Sequence, residues 1–328
     1  MADATRKSLT IPGGPKYSYI YQVAENEKPT FLLLHGFPSS SYDWRKQIAN
    51  LSKAGYGVVA PDLLGYGETA KPEALEAYAF SNLAGHVSEI LKHENLTTVI
   101  GVGHDWGSVV LSKAWNYYPQ YFSALVFASV GYQLPGPFNL AGTNALTESL
   151  FGYTMFGYWN FFNETDAASL LQSHHESFST IMYQSDPEIW KTDFCPIGKL
   201  REWVTANKTA PLPSWLPRNE FEEHKKILEK GGYTGPLNWY KGVIRDIDHE
   251  KDATISAEAK VINKPTIFLV GESDAVTRPE VAIQAAGQGK TEGWLPNVEV
   301  KTVPGSHWFY LEQPEATFEI LDNLAKSL

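Results

Sequence analysis

The sequence predicts an α/β fold: a mostly parallel central sheet flanked by helices, with one inserted helical cap. Three observations predict it. Short apolar runs alternate with helix-periodic stretches up to about residue 131. Between 132 and 242 aromatics crowd together and strand patterning disappears, and from Pro265 onward the alternation returns. The core is therefore assigned to 1–131 and 243–328, and the cap to 132–242.

Element by element, Tyr17 to Val23 alternates with period two and reads as a strand. Thr30 to His35 is a continuous apolar run between Pro29 and Gly36, as expected of a strand covered on both faces. A helix is expected over 42–53, then a short strand from Gly57 to Ala60 ending at Pro61-Asp62. Residues 81–93 place Leu83, Val87, Ile90 and Leu91 on one helical face. Thr97 to Val102 is a buried strand, 107–118 a helix halted by Pro119, and Ala124 to Val130 another strand. In the middle block, Phe151, Tyr153, Phe156, Tyr158, Trp159, Phe161 and Phe162 cluster, and Pro211, Pro213 and Pro217 break the helices. Strands at Pro265–Val270 and Val298–Val303 and a helix over 314–326 complete the core.

Bulk properties narrow the function. The 328 residues are 43% hydrophobic and 20% charged, the composition of a globular protein. A formal net charge of −10 argues against attraction to nucleic acid or anionic membranes. The longest apolar runs are strand-sized, so no membrane anchor is expected, and the polar stretch Met1 to Thr10 has no signal-peptide core. Cys195 is the one cysteine, which excludes an intrachain disulfide and points to a reducing, cytoplasmic setting. No metal-ligand spacing and no nucleotide-binding glycine loop occurs, so neither metal nor cofactor is expected.

Chemistry concentrates at strand ends. Gly103-His104-Asp105-Trp106-Gly107 lies between a buried strand and a helix and has the glycine-flanked form of a nucleophile elbow, the strand-to-helix turn of the α/β-hydrolase fold. His35-Gly36-Phe37-Pro38 follows an early central strand, where that fold donates a backbone N–H to an oxyanion. Asp274 follows the 265–270 strand and His307 follows the 298–303 strand, giving the chain order nucleophile, acid, histidine. Each alone reads as a solvated loop residue. Together, at the correct strand ends, they read as a triad.

An aspartate at the elbow changes the chemistry. Serine attacking a saturated carbon would leave an ether that water does not readily cleave. A carboxylate leaves an ester, which a histidine-activated water can hydrolyse at its carbonyl carbon. Asp105 needs no base to become nucleophilic, so His307, oriented by Asp274, is free to activate water. Backbone N–H groups of Phe37 and Trp106 would hold the tetrahedral intermediate. The substrate expected is one displaced at an sp³ carbon, through an epoxide oxygen or a halide.

The HGFP and HDWG motifs, Pro61-Asp62-Leu-Leu-Gly65-Tyr66-Gly67 and Gly235-Pro236-Leu237-Asn238-Trp239-Tyr240 together resemble the soluble-type epoxide hydrolases over nearly the whole chain. The resemblance implies two cap tyrosines that polarise the epoxide oxygen. Tyr240 matches the second. Phe-Gly-Tyr occurs twice, ending at Tyr153 and Tyr158, and the residues after Tyr158 favour it as the first. It further implies a detoxifying, cofactor-independent enzyme, monomer or homodimer, acting on a small apolar epoxide with water. Substrate contacts are expected from Phe37, Trp106, Tyr153, Trp159 and Trp308. A haloalkane dehalogenase using Trp106 and Trp159 as halide donors, and a non-catalytic ligand-binding protein on the same fold, remain the alternatives.

Overall fold

The computed structural model describes residues 4–328; Met1 to Asp3, the start of the polar N-terminal stretch, lie outside the described residues. Eight strands form one sheet: β1 (Thr5–Thr10), β2 (Lys16–Gln22), β3 (Thr30–Leu34), β4 (Gly57–Asp62), β5 (Val99–His104), β6 (Phe122–Ala128), β7 (Thr266–Gly271) and β8 (Val298–Val303). Their order is β1-β2-β4-β3-β5-β6-β7-β8. The first two joins differ in kind from the rest: β1–β2 and β2–β4 are antiparallel, and every other pair is parallel. The apolar runs read from sequence fill the centre, and β3, β4, β5 and β7 are buried at every residue. That is what coverage on both faces requires.

Helices α1 (Arg45–Lys53), α2 (Phe80–His93) and α3 (Trp106–Tyr117) pack on the sheet. All regular structure between β6 and β7 is helical among the described residues. It comprises α4 (Leu140–Phe151), α5 (Tyr158–Phe162), α6 (Ala167–Ser173), α7 (His175–Met182), α8 (Lys199–Thr205), α9 (Arg218–Gly231), α10 (Thr234–Ile244) and α11 (His249–Asp252), with shorter turns between them. Helix α10 runs through position 242, so the boundary drawn there falls inside a helix. The chain closes with α12 (Pro279–Glu292) and α13 (Pro314–Lys326).

Two elements escaped the sequence pattern. β1 is an edge strand whose residues alternate between exposed and half-buried, so it carries no apolar stripe. The buried face of α12 is Ala282, Ala286 and Gly289, too small to produce a strong helical period. Strands β5 and β6 are also displaced by two residues from the expected ranges, in opposite directions.

Register decides where chemistry can occur. Leu34 pairs with Gly103, Gly103 with Phe127, Ala128 with Leu269, and Gly271 with Val303. The carboxyl ends of five parallel strands are thereby level. The segments following them meet at one sheet edge, the usual ligand position in such sheets.

Candidate active site

Asp105 ends β5 and begins α3 with φ 53° and ψ −122°, a left-handed conformation disfavoured for a residue with a Cβ. The turn is tight enough that a Cβ on Gly103 would meet the backbone of Gly107, and one on Gly107 would meet the carbonyl of Leu34. Small residues on both sides are therefore a steric need. A Cβ on Gly36 would collide with the Asp105 carboxylate itself. The turn aims the side chain at the 35–38 segment, where Phe37 N–H donates to Oδ1 at 2.8 Å, and the Trp106 N–H beside it also favours the charged carboxylate. Burial raises the Asp105 pKa; the His307 charge and these two N–H groups oppose that rise.

The other oxygen, Oδ2, lies 3.9 Å from Nε2 of His307. On the far side of the ring, Nδ1 of His307 is 2.8 Å from Oδ2 of Asp274. Asp274 also accepts from Val276 N–H at 2.8 Å, Thr277 N–H at 3.0 Å and the Thr277 hydroxyl. Burial pushes the Asp274 pKa up, but the His307 charge and these donors hold it well below the usual carboxylate range. For His307, burial pulls the pKa down, while the charge and hydrogen bond of Asp274 and the Asp105 charge outweigh it, leaving the pKa raised. The backbone is fixed as well: His307 C=O accepts from His104 Nε2 at 3.0 Å, linking β5 to the segment after β8. His35 accepts from Leu63 N–H at 2.9 Å and donates to Gly36 C=O at 2.9 Å. Both histidines tie neighbouring segments together.

Facing Asp105 is an aromatic wall from the helical block. Tyr158 and Tyr240 are buried, with ring centroids 6.0 Å apart. Tyr240 meets Trp106 edge-on at 4.8 Å and Phe37 at 5.1 Å, while Tyr158 stacks on Phe194 at 4.4 Å. Burial is the main cause raising both phenols well above their ordinary pKa; the Asp105 charge adds to it, as does Tyr158 for Tyr240. Both phenols are protonated at neutral pH and can donate. Next to them lies a cavity of about 410 Å³, lined among others by Asp105, Trp106, Tyr158, Trp159, Phe138 and Met155. That volume suits a small organic molecule.

Two expected substrate contacts sit elsewhere. The Tyr153 hydroxyl donates to Ala275 C=O at 2.6 Å, and the residue, like Tyr240, is not among those lining the cavity. Trp308 is fully buried, with its indole N–H donated to Met182 C=O at 2.8 Å and its ring against Tyr183 at 4.8 Å. Trp106 and Trp159 do border the cavity. Phe37 is 2% exposed and reaches the site through Tyr240 and Phe162. Sequence reasoning did not single out Trp190, whose ring lies 5.5 Å from His307, or Phe194. Nothing local distinguishes those two from other buried aromatics.

Comparison with known proteins gives a consistent result. The model of the α/β-hydrolase fold family matches residues 29–314. The chain is 30% identical over 321 residues to epoxide hydrolase A of Mycobacterium tuberculosis, covering 93% of each. It is 31% identical over 300 residues to epoxide hydrolase 3 of Siraitia grosvenorii, covering 88% of each. The structure of potato epoxide hydrolase I superposes with a TM-score of 0.80 at 26% identity, over 99% of this chain and 100% of the other.

Proposed function

This chain belongs to the α/β-hydrolase fold family and, within it, to the epoxide hydrolases, and from that premise we propose the residues and steps by which it turns an epoxide into a vicinal diol. Oδ2 of Asp105 attacks a ring carbon, and the carbon–oxygen bond of the ring breaks as the ester bond forms. Tyr158 and Tyr240 donate hydrogen bonds to the departing oxygen, and one of them gives it a proton. Two phenols share the developing charge, so neither needs a lowered pKa. Ester formation removes the Asp105 charge, one of the causes raising the His307 pKa, so the imidazole becomes easier to hold neutral when water must be activated. His307 takes a proton from water as the water oxygen bonds to the ester carbonyl carbon. Phe37 and Trp106 N–H groups hold the oxyanion. Collapse breaks the acyl carbon–oxygen bond, the imidazolium returns its proton to the diol oxygen, and the second water proton, left on the regenerated Asp105 carboxyl, passes back to the tyrosine that gave one up.

One observation carries this reading: an Asp105 carboxylate with one oxygen 2.8 Å from Phe37 N and the other 3.9 Å from His307 Nε2, faced by two protonated phenols. Tyr158 is favoured over Tyr153 as the first donor because it borders the cavity beside Tyr240, whereas the Tyr153 hydroxyl is committed to Ala275. The 132–242 block is read as a cap supplying both phenols. The substrate is read as small and apolar, from the aromatic lining. A detoxifying role and a cytoplasmic setting fit such a substrate and the lone buried Cys195.

Halide displacement is supported by a single feature, the buried Trp159 indole N–H without a partner near Trp106. A halide, however, needs no proton, and the paired phenols then have no task. Measuring diol against free halide from matched substrates separates the two. The direct test is His307→Gln, which should still alkylate but not hydrolyse. Its intact mass should rise by the mass of one epoxide, with the adduct on the Asp105 peptide. Diol formation without any adduct would defeat the ester pathway.

A further inference from the structure

We propose that Lys113 and Asp252, an ion pair in the lining of the cavity, are positioning residues that set which epoxides fit; this rests on the epoxide hydrolase reading above. The pair joins the nucleophile-bearing helix α3 to α11, and its members are 6% and 9% exposed. Burying both charges costs desolvation that their attraction only offsets, so an apolar pair of equal size would hold the fold as well. What an apolar pair could not do is accept a hydrogen bond. The second oxygen of Asp252 accepts the Gly136 N–H at 3.0 Å.

Gly136 belongs to the segment that leaves β6 for the helical block, and its φ of 146° is a conformation that a side chain would strain. The same face of α3 holds this segment at two more points. Ser112 Oγ accepts Gln133 N–H at 3.0 Å, and Asn116 donates to the Tyr132 hydroxyl at 2.8 Å. Just past Gly136, Pro137 and Phe138 line the cavity. The Phe138 ring lies 5.0 Å from Trp159, which lies 5.2 Å from both Trp106 and Tyr240. One helix thus carries Asp105 at its start and, two turns later, anchors the wall that the substrate presses against.

The test compares kcat/KM for propylene oxide and for a bulky aryl epoxide in the wild type and in Lys113→Met/Asp252→Leu, with hydrogen exchange of the Gly136 amide measured in both. The double variant should change the ratio of the two specificity constants about tenfold, through KM more than kcat, because a displaced wall misplaces only the larger substrate. The Gly136 amide should exchange faster. Lys113→Met/Asp252→Asn, which keeps an acceptor for that N–H, should recover both values. Mere destabilisation lowers the concentration of active enzyme and scales both substrates alike. Should the double variant fail to fold, Ser112→Ala removes a neighbouring tether without stranding a charge, and must shift the ratio in the same direction. An unchanged ratio, or unchanged exchange, with normal wild-type turnover would overturn the proposal. Absence of diol from any epoxide with the wild type would overturn the reading beneath it, and the exchange rates tell the two failures apart.

Discussion

On the sheet side of the cavity, Asp105, Asp274 and His307 stand on turns at strand ends and are tied down largely by backbone and carboxylate hydrogen bonds of 2.8 to 3.0 Å. On the helical side, Tyr158, Tyr240 and Trp159 are held mainly ring against ring, at centroid distances of 4.4 to 6.0 Å. Hydrogen bonds from a level sheet edge permit one geometry. Aromatic packing permits several of similar energy. Under the proposed reaction, the contrast gives the fixed steps to the sheet and the choice of substrate to the helical block.

The comparison breaks first at the proposed nucleophile. Asp105→Ala should lower turnover by about 10⁴-fold or more and abolish the adduct expected with His307→Gln. Retained activity in Asp105→Ala would move the chemistry away from the sheet edge. Next comes the helical side: Tyr158→Phe/Tyr240→Phe should cost about 10³-fold in the alkylation rate, and either single change about ten- to a hundredfold. Tyr153→Phe/Tyr240→Phe should match Tyr240→Phe alone. If it matched the other double variant, Tyr153 would be the donor, despite its bond to Ala275.

Acidity sharpens the sheet side. The imidazole must be neutral to take a proton from water, and the Asp274 charge and hydrogen bond raise its pKa before and after Asp105 is esterified, so turnover should fall as pH drops through the His307 pKa of the ester intermediate. Asp274→Asn removes the largest raising cause and should move that acid limb to lower pH while lowering the plateau. The stability sign is opposite. A histidine with a raised folded-state pKa contributes stability that is fully present below its unfolded pKa and lost as pH rises through the folded one. The window in which the enzyme switches on therefore adjoins the window in which this pair stops stabilising it. Melting temperature followed against pH, in wild type and Asp274→Asn, should differ most on the acid side of that window. The smallest effect belongs to packing: Phe194→Leu, which takes away the ring stacked on Tyr158, should cost about 1 kcal/mol in stability and alter kcat/KM only a few-fold. A larger loss of alkylation would mean that ring stacking fixes the phenol as firmly as hydrogen bonds fix the triad.

The same contrast explains what could be read in advance. Strand ends announce themselves through apolar runs stopped by glycine, and the elbow glycines are obligatory, so Asp105, Asp274 and His307 were legible with the chemistry that an aspartate implies. The helical side was legible only as a crowd of aromatics. Phe151-Gly-Tyr153 and Phe156-Gly-Tyr158 are identical tripeptides, and what separates them is a carbonyl at Ala275, more than a hundred positions away. Trp308 adjoins His307 in sequence, yet its indole turns away from the cavity to Met182. Lys113 and Asp252 are 139 positions apart, beyond any local pattern. Polar β1 and the small-residue face of α12 were silent for the opposite reason: each buries too little apolar surface to leave a period.

Single-turnover hydrolysis in heavy-oxygen water, with enzyme in excess over an epoxide, asks most directly whether the carboxylate at 105 is esterified. Water attacking the ester carbonyl should leave the heavy atom in the Asp105 peptide and deliver an unlabelled diol. Label in the diol, with the Asp105 carboxylate unlabelled, would mean that water attacks the epoxide directly and that the ester never forms.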